Sequence, residues 1–87
     1  MSDIYENIKL TRQDIRELEN EQKELLQKQK ELTSGIDMAK EYKQRESLRW
    51  QHAQACERLR KIEVLVERKQ SDLQQLADSL QLAIFNN

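Results

Sequence analysis

A heptad pattern runs over residues 38–83, MAKEYKQRESLRWQHAQACERLRKIEVLVERKQSDLQQLADSLQLA, which contain no proline and no glycine. Its apolar residues recur at spacings of three, four or seven, at Leu48, Ala55, Leu59, Ile62, Val66, Leu73, Leu76, Leu80 and Ala83. The same register places Met38 at the start of this seam. Such spacing puts side chains on one face of a helix in the heptad pattern typical of coiled coils. We therefore predict one long helix with an apolar seam.

A second seam with the same spacing precedes this stretch. It consists of Ile4, Ile8, Thr11, Ile15, Leu18, Gln22, Leu25, Gln29 and Leu32. The carboxylate of Asp3 can accept a hydrogen bond from a free backbone amide of a first helical turn. The sequence therefore predicts a first helix over about residues 3–33.

The two seams are separated by Thr33-Ser34-Gly35-Ile36-Asp37, which contains the only glycine of the chain. A glycine can take the left-handed conformation that ends a helix, and Asp37 can cap the next one. We predict a turn at 34–36 and a second helix over about 37–84. A single glycine inside a continuous helix costs only about 1 kcal/mol, so one straight rod remains the alternative. The predicted fold is a single all-α domain spanning 1–87, an antiparallel helical hairpin of the coiled-coil type with a longer second helix.

With Gly35 at the tip, facing residues have numbers that sum to about 70, which places Gln29 opposite Glu41 and Tyr42. The second helix then overhangs the first from about Gln70 onward. An exposed apolar stripe usually marks an interface. We predict that the overhang makes the chain a homodimer, through Leu73, Leu76, Leu80, Ile84 and Phe85. In the alternative, the helix breaks near Ser71 and folds back.

Composition limits the functions that this chain can have. Charged residues are 36% of the chain and aromatic residues 5%, which is typical of coiled coils and poor material for a globular core. No apolar run reaches the roughly 18 residues that span a bilayer, and the first residues lack the basic and apolar regions of a signal peptide. The single cysteine, Cys56, fits a reducing compartment. The sequence predicts a cytoplasmic protein that does not enter a membrane.

One pair of residues has side chains that can bind a metal ion or act as a nucleophile and base. His52 and Cys56 are four residues apart, so they share a helical face, and this spacing suits two metal ligands. The chain supplies no second pair, and it has no glycine loop, oxyanion hole or third group to orient a Cys–His nucleophile. We therefore expect no metal, no cofactor and no enzymatic activity.

The residues expected to bind a partner lie near the start of the second helix. Trp, Tyr and Arg dominate hot spots of protein interfaces, and the predicted set is Tyr42, Arg45, Arg49, Trp50 and Arg58. The leading prediction is a small adaptor or inhibitor that docks on a larger protein. One alternative is a chaperone or structural subunit that holds a partner helix on the C-terminal apolar stripe. Another is a nucleic-acid-associated protein, which the formal net charge of −1 disfavours.

Overall fold

The computed structural model describes residues 3–85, and of Phe85 only the backbone. It contains two helices, α1 (Ile4–Met38) and α2 (Tyr42–Phe85). The helices pack against each other along their length in a hairpin that measures 69 × 19 × 15 Å. The predicted all-α hairpin with a longer second helix is confirmed, and the predicted alternatives of a single rod and of a break near Ser71 are wrong. No helix in the described part of the chain is long and apolar enough to cross a membrane.

The first helix begins where the sequence predicts. Asp3 precedes it in an extended conformation, and one carboxylate oxygen of Asp3 accepts a hydrogen bond of 3.1 Å from the backbone N–H of Tyr5. The carbonyl of Asp3 accepts the first intrahelical bond, from the N–H of Asn7 at 3.0 Å. The bond from Tyr5 satisfies an amide that would otherwise lack a partner at the start of the helix.

The predicted turn at 34–36 is wrong, because the chain turns at 39–41. Gly35 is helical, and no described residue has a positive φ. The reason is that the seam of α1 does not stop at Leu32: Ile36 and Ala39 continue its spacing, and they are half-buried and buried. Continuing the helix lets these two side chains pack, whereas ending it at Gly35 would expose them. Met38, which the prediction placed on the second seam, instead ends α1 with 78% of its surface exposed.

Moving the turn changes the register of the whole hairpin. Arg58 contacts Glu21 and Lys69 contacts Asp14, so facing residues have numbers that sum to about 80 rather than about 70. Gln29 consequently lies opposite Cys56 and not opposite Glu41 and Tyr42. Shifting the turn by one residue changes the sum of facing residue numbers by two. Because the predicted turn lies about five residues before the observed one, every predicted pair of facing residues is wrong by about ten in this sum.

The new register also shortens the overhang of α2. Asn7 and Thr11 of α1 line one groove together with Leu76 and Ser79 of α2. The first helix therefore covers the second almost to Leu80, and the prediction that the overhang starts at Gln70 is wrong. Only about the last turn of α2 extends past the start of α1.

The core is a single line of apolar side chains between the two helices. Its buried residues are Ile15, Leu32, Ala39, Ala55, Leu59 and Ile62, of which Ile62 has no exposed surface. The other predicted seam positions are half-buried, except Met38 and Ala83, which are exposed. The two heptad patterns thus identified the inward faces of both helices.

Candidate binding surface

Arg45, one of the five residues predicted to bind a partner, instead makes a hydrogen bond within the hairpin. One terminal nitrogen of its guanidinium, Nη2, donates a hydrogen bond of 2.8 Å to the carbonyl of Ala39. This carbonyl lies at the C-terminal end of α1, where unsatisfied carbonyls and the helix dipole both favour a cation. The Nε atom of Arg45 is buried and has no hydrogen-bond partner within the described residues. Arg45 therefore joins the turn to α2 and does not present a free guanidinium to solvent.

Three other residues of the predicted set form an exposed patch on the first turns of α2. Tyr42 is 74% exposed and Trp50 66%. Arg49 is exposed too, and its Nη1 lies 3.5 Å from the Oε1 atom of Glu46. Positions seven and eight residues apart lie close to one side of a helix, which brings the two aromatic rings and the guanidinium onto the same surface. We call Tyr42, Glu46, Arg49 and Trp50 the aromatic patch.

The fifth residue of the set, Arg58, is already paired across the hairpin. Its Nε and Nη2 atoms donate hydrogen bonds of 2.8 and 2.9 Å to the two carboxylate oxygens of Glu21. This paired hydrogen bond holds the pKa of the Glu21 carboxyl below its usual range, and it raises the pKa of Arg58. Because the pair is partly open to solvent, it orients the two helices more than it stabilises them.

The side chains of His52 and Cys56 belong to a small polar cluster between the helices. The Nε2 atom of Gln29 donates a hydrogen bond of 2.9 Å to the Cys56 sulfur, and the Nδ1 atom of His52 lies 3.7 Å from the same sulfur. Within residues 3–85, no group of three or more His, Cys, Asp and Glu side chains is arranged to hold a metal ion. The cluster is therefore best described as a polar layer of the seam.

The residues predicted to drive self-association divide into two groups. Leu73, Leu76 and Leu80 are half-buried, and they share grooves with side chains of α1 such as Ile8. Ile84, by contrast, is 62% exposed. The side chain of Phe85 lies outside the described residues. The apolar surface that α1 leaves free at this end is thus smaller than the sequence-based register implied, and it includes Leu82, which was not among the residues predicted for self-association.

Sequence reasoning missed a groove on the second half of α2. Its volume is about 400 Å³, and it is lined by Arg58, Arg60, Lys61, Val64, Leu65 and Arg68. We call it the basic groove. A signal for it exists in the sequence, because Val64 is an apolar residue that falls outside the seam and has cations four residues before and after it.

Comparison with known proteins finds no matching family model, and no significant match among curated protein sequences or among solved structures.

Proposed function

We propose that this chain is a non-catalytic protein–protein interaction module that docks on a larger protein through the outer face of α2. The observation that carries the proposal is the exposure of Trp50, at 66%, on a helix whose opposite face already packs on α1. An exposed tryptophan keeps a large apolar ring in water, which is unfavourable. Burial of this ring against a partner removes its apolar surface from water and so contributes favourable free energy to binding. Tyr42 and Arg49 beside it complete the set of side chains that most often carry binding energy at interfaces.

The charges of the hairpin favour a protein partner over a nucleic acid. Of the five residues predicted for this surface, Arg45 donates to the carbonyl of Ala39 and Arg58 is paired with Glu21. Glu46 lies within reach of Arg49. Fewer cations are therefore free to neutralise phosphates, which supply most of the affinity in nucleic-acid binding. We place nucleic-acid association behind protein binding for this reason.

We further propose that the chain self-associates through the C-terminal end of α2. We also propose that the two helices wind around each other as a coiled coil. Leu82 and Ile84 are exposed at the C-terminal end of α2, past the first residue of α1. A chain of this size buries little surface by itself. A homodimer would cover both side chains. The alternative of a chaperone that holds a partner helix on this stripe has less support, because Leu73 and Leu80 are already half-buried and line a groove together with Ile8 of α1.

The proposed function is tested by replacing Trp50 with alanine. The tagged wild-type chain and the Trp50→Ala variant are used to capture proteins from an extract of the source cells, and each captured protein is then purified and titrated against the chain. We expect at least a tenfold loss of affinity in Trp50→Ala, because a central interface tryptophan contributes about 2 kcal/mol or more. Circular dichroism should show unchanged helicity, since the ring makes no part of the buried core.

The matched control is Tyr5→Ala, which removes an aromatic ring that is also exposed but lies on α1. This variant should bind as the wild type does. Equal affinity of the wild type and Trp50→Ala for every purified partner would refute the proposed function. A parallel titration with single-stranded and duplex oligonucleotides, followed by Trp50 fluorescence, tests the nucleic-acid alternative.

A further inference from the structure

The basic groove combines an apolar floor with a cationic rim. Val64 is 48% exposed and the neighbouring Leu65 is half-buried, and both lie at the floor. The rim consists of the four cations Arg58, Arg60, Lys61 and Arg68. Positive side chains that flank exposed apolar surface are a pattern that favours a ligand with both apolar and negative groups.

Two of the four cations are free of anionic partners. Arg58 is held by Glu21, and Lys61 approaches Glu57 at 3.6 Å while its side chain stays 65% exposed. Arg60 and Arg68, by comparison, make no ion pair with any residue that the structure describes. The groove therefore carries positive charge that the hairpin itself does not neutralise.

The basic groove is continuous with the surface around Trp50. Trp50 and Arg58 line a second groove together with Leu25 of α1, and Arg58 belongs to both grooves. Trp50 and Val64 are fourteen residues apart, which is two heptads and places them on the same side of α2. From Trp50 to Arg68 the surface extends for about 27 Å at 1.5 Å per residue. That length matches five turns of a second helix.

We propose that this surface binds an acidic amphipathic helix of a partner protein. Apolar side chains of that helix pack on Trp50, Val64 and Leu65, and its carboxylates pair with Arg60 and Arg68. Arg60 and Arg68 are eight residues apart, about 12 Å along α2, and acidic residues seven or eight apart on the bound helix have the same separation. This inference rests on the proposed function, since it assigns the partner's chemistry to the same face of α2.

A helix fits the groove better than a nucleic acid does. A single strand carries a phosphate at every nucleotide and binds best to closely spaced cations and stacking aromatic rings. Here the two free cations, Arg60 and Arg68, are separated by the aliphatic side chains of Val64 and Leu65. Aliphatic floors of this kind receive leucine or isoleucine side chains of a helix.

The test uses a fluorescein-labelled synthetic peptide of three heptads, with leucine at the first and fourth positions and glutamate at the fifth and seventh. Fluorescence anisotropy measures its binding to the full chain at low salt. We expect a dissociation constant of about 10 μM, and at least tenfold weaker binding of a second peptide that has lysine in place of every glutamate.

Three double variants locate the binding site. Arg60→Glu with Arg68→Glu should weaken binding of the acidic peptide at least tenfold. The matched control, Lys9→Glu with Lys23→Glu, changes the net charge by the same amount at exposed positions of α1 and should stay within about twofold of the wild type. The milder pair Arg60→Gln with Arg68→Gln should give an intermediate loss and guards against a folding defect, which circular dichroism would reveal.

Several outcomes would overturn the inference. They are no binding of the acidic peptide at about 100 μM, equal weakening by both glutamate pairs, or stronger binding of a 20-nucleotide single strand or of anionic vesicles at the same residues. Burial of Val64 by a second copy of the chain would also overturn it. If a natural partner is lost on Trp50→Ala and retained on Arg60→Glu with Arg68→Glu, the proposed function stands and the acidic-helix inference fails.

Discussion

Gly35 is the only glycine of the chain, and it lies inside α1 with a helical backbone. Leu48 of α2 lies beside it, and a Cβ atom at Gly35 would lie 3.4 Å from the Cδ1 atom of Leu48. This is ordinary van der Waals contact at the short end of its range. Gly35 therefore does not reverse the chain, and the packing of Leu48 beside it leaves room for a Cβ atom.

The helical position of Gly35 leads to a stability prediction. Gly35→Ala should raise the free energy of unfolding by about 1 kcal/mol, since alanine is favoured over glycine in a helix by about that amount and its Cβ fits beside Leu48. For a chain of this size the midpoint of thermal unfolding should rise by about 4–8 °C. Thermal unfolding followed by circular dichroism measures the change.

Ser34→Ala serves as the control for Gly35→Ala, because it adds helix propensity at the adjacent exposed position without approaching α2. A left-handed Gly35 at a turn would give the opposite result. There alanine would be strained by about 1–2 kcal/mol, and the variant would melt below the wild type.

At the scale of the element, α2 has two apolar surfaces that serve different purposes. Ile62 has no exposed surface and lies in the seam with α1, whereas Val64, two residues later, is 48% exposed in the basic groove. Both residues are β-branched and lie in the middle of the same helix, so their intrinsic helix propensities are similar. The difference in exposure between Ile62 and Val64 therefore comes from packing and not from helix propensity.

Alanine substitutions separate these two surfaces. Ile62→Ala should lower the free energy of unfolding by about 2–5 kcal/mol, because it removes fully buried methyl and methylene groups and leaves a cavity. Val64→Ala should change stability by less than about 0.5 kcal/mol and weaken binding of the acidic peptide instead. Urea unfolding and peptide anisotropy on both variants measure the two effects. A large loss of stability in Val64→Ala would place its side chain in the folded core and contradict the groove.

At the scale of the whole molecule, two helices 35 and 44 residues long share one narrow seam. Exposed apolar side chains remain on both helices, at Tyr5, Leu10, Leu26, Met38, Tyr42, Trp50, Val64, Leu82 and Ile84. A two-helix hairpin of 69 × 19 × 15 Å has no second layer to cover them. Association with another chain is the general way in which such hairpins become stable.

Light scattering tests the proposed homodimer. We expect a mass of about twice the 10.4 kDa of the chain, and the mass of a monomer for Leu82→Glu with Ile84→Glu, because charges at these exposed positions would be buried unpaired. Gln44→Glu with Gln70→Glu adds the same charge on exposed positions of α2 without removing apolar surface, and it should remain a dimer. A wild-type monomer at all concentrations would exclude self-association.

The heptad periodicity of the sequence is sufficient to predict the two helices, their inward faces and the hairpin class. These features are local, because each depends on apolar residues that recur every three or four positions and on the absence of proline. Periodicity did not predict the exposure of Tyr42, because the sequence-based register placed this residue opposite Gln29.

The position of the turn and the pairs of facing residues depend instead on packing between the two helices. Ending α1 at Gly35 would avoid the cost of about 1 kcal/mol for a glycine inside a helix, whereas continuing it buries Ala39 and half-buries Ile36. Full burial of an isoleucine side chain is worth about 1.5–3 kcal/mol, so half-burial of Ile36 together with burial of Ala39 offsets that cost. This balance depends on contacts between distant parts of the chain, which a local reading of Gly35 does not include. The turn at 39–41 then fixed the pairing of Arg58 with Glu21, the bond from Arg45 to Ala39, and the short free end of α2.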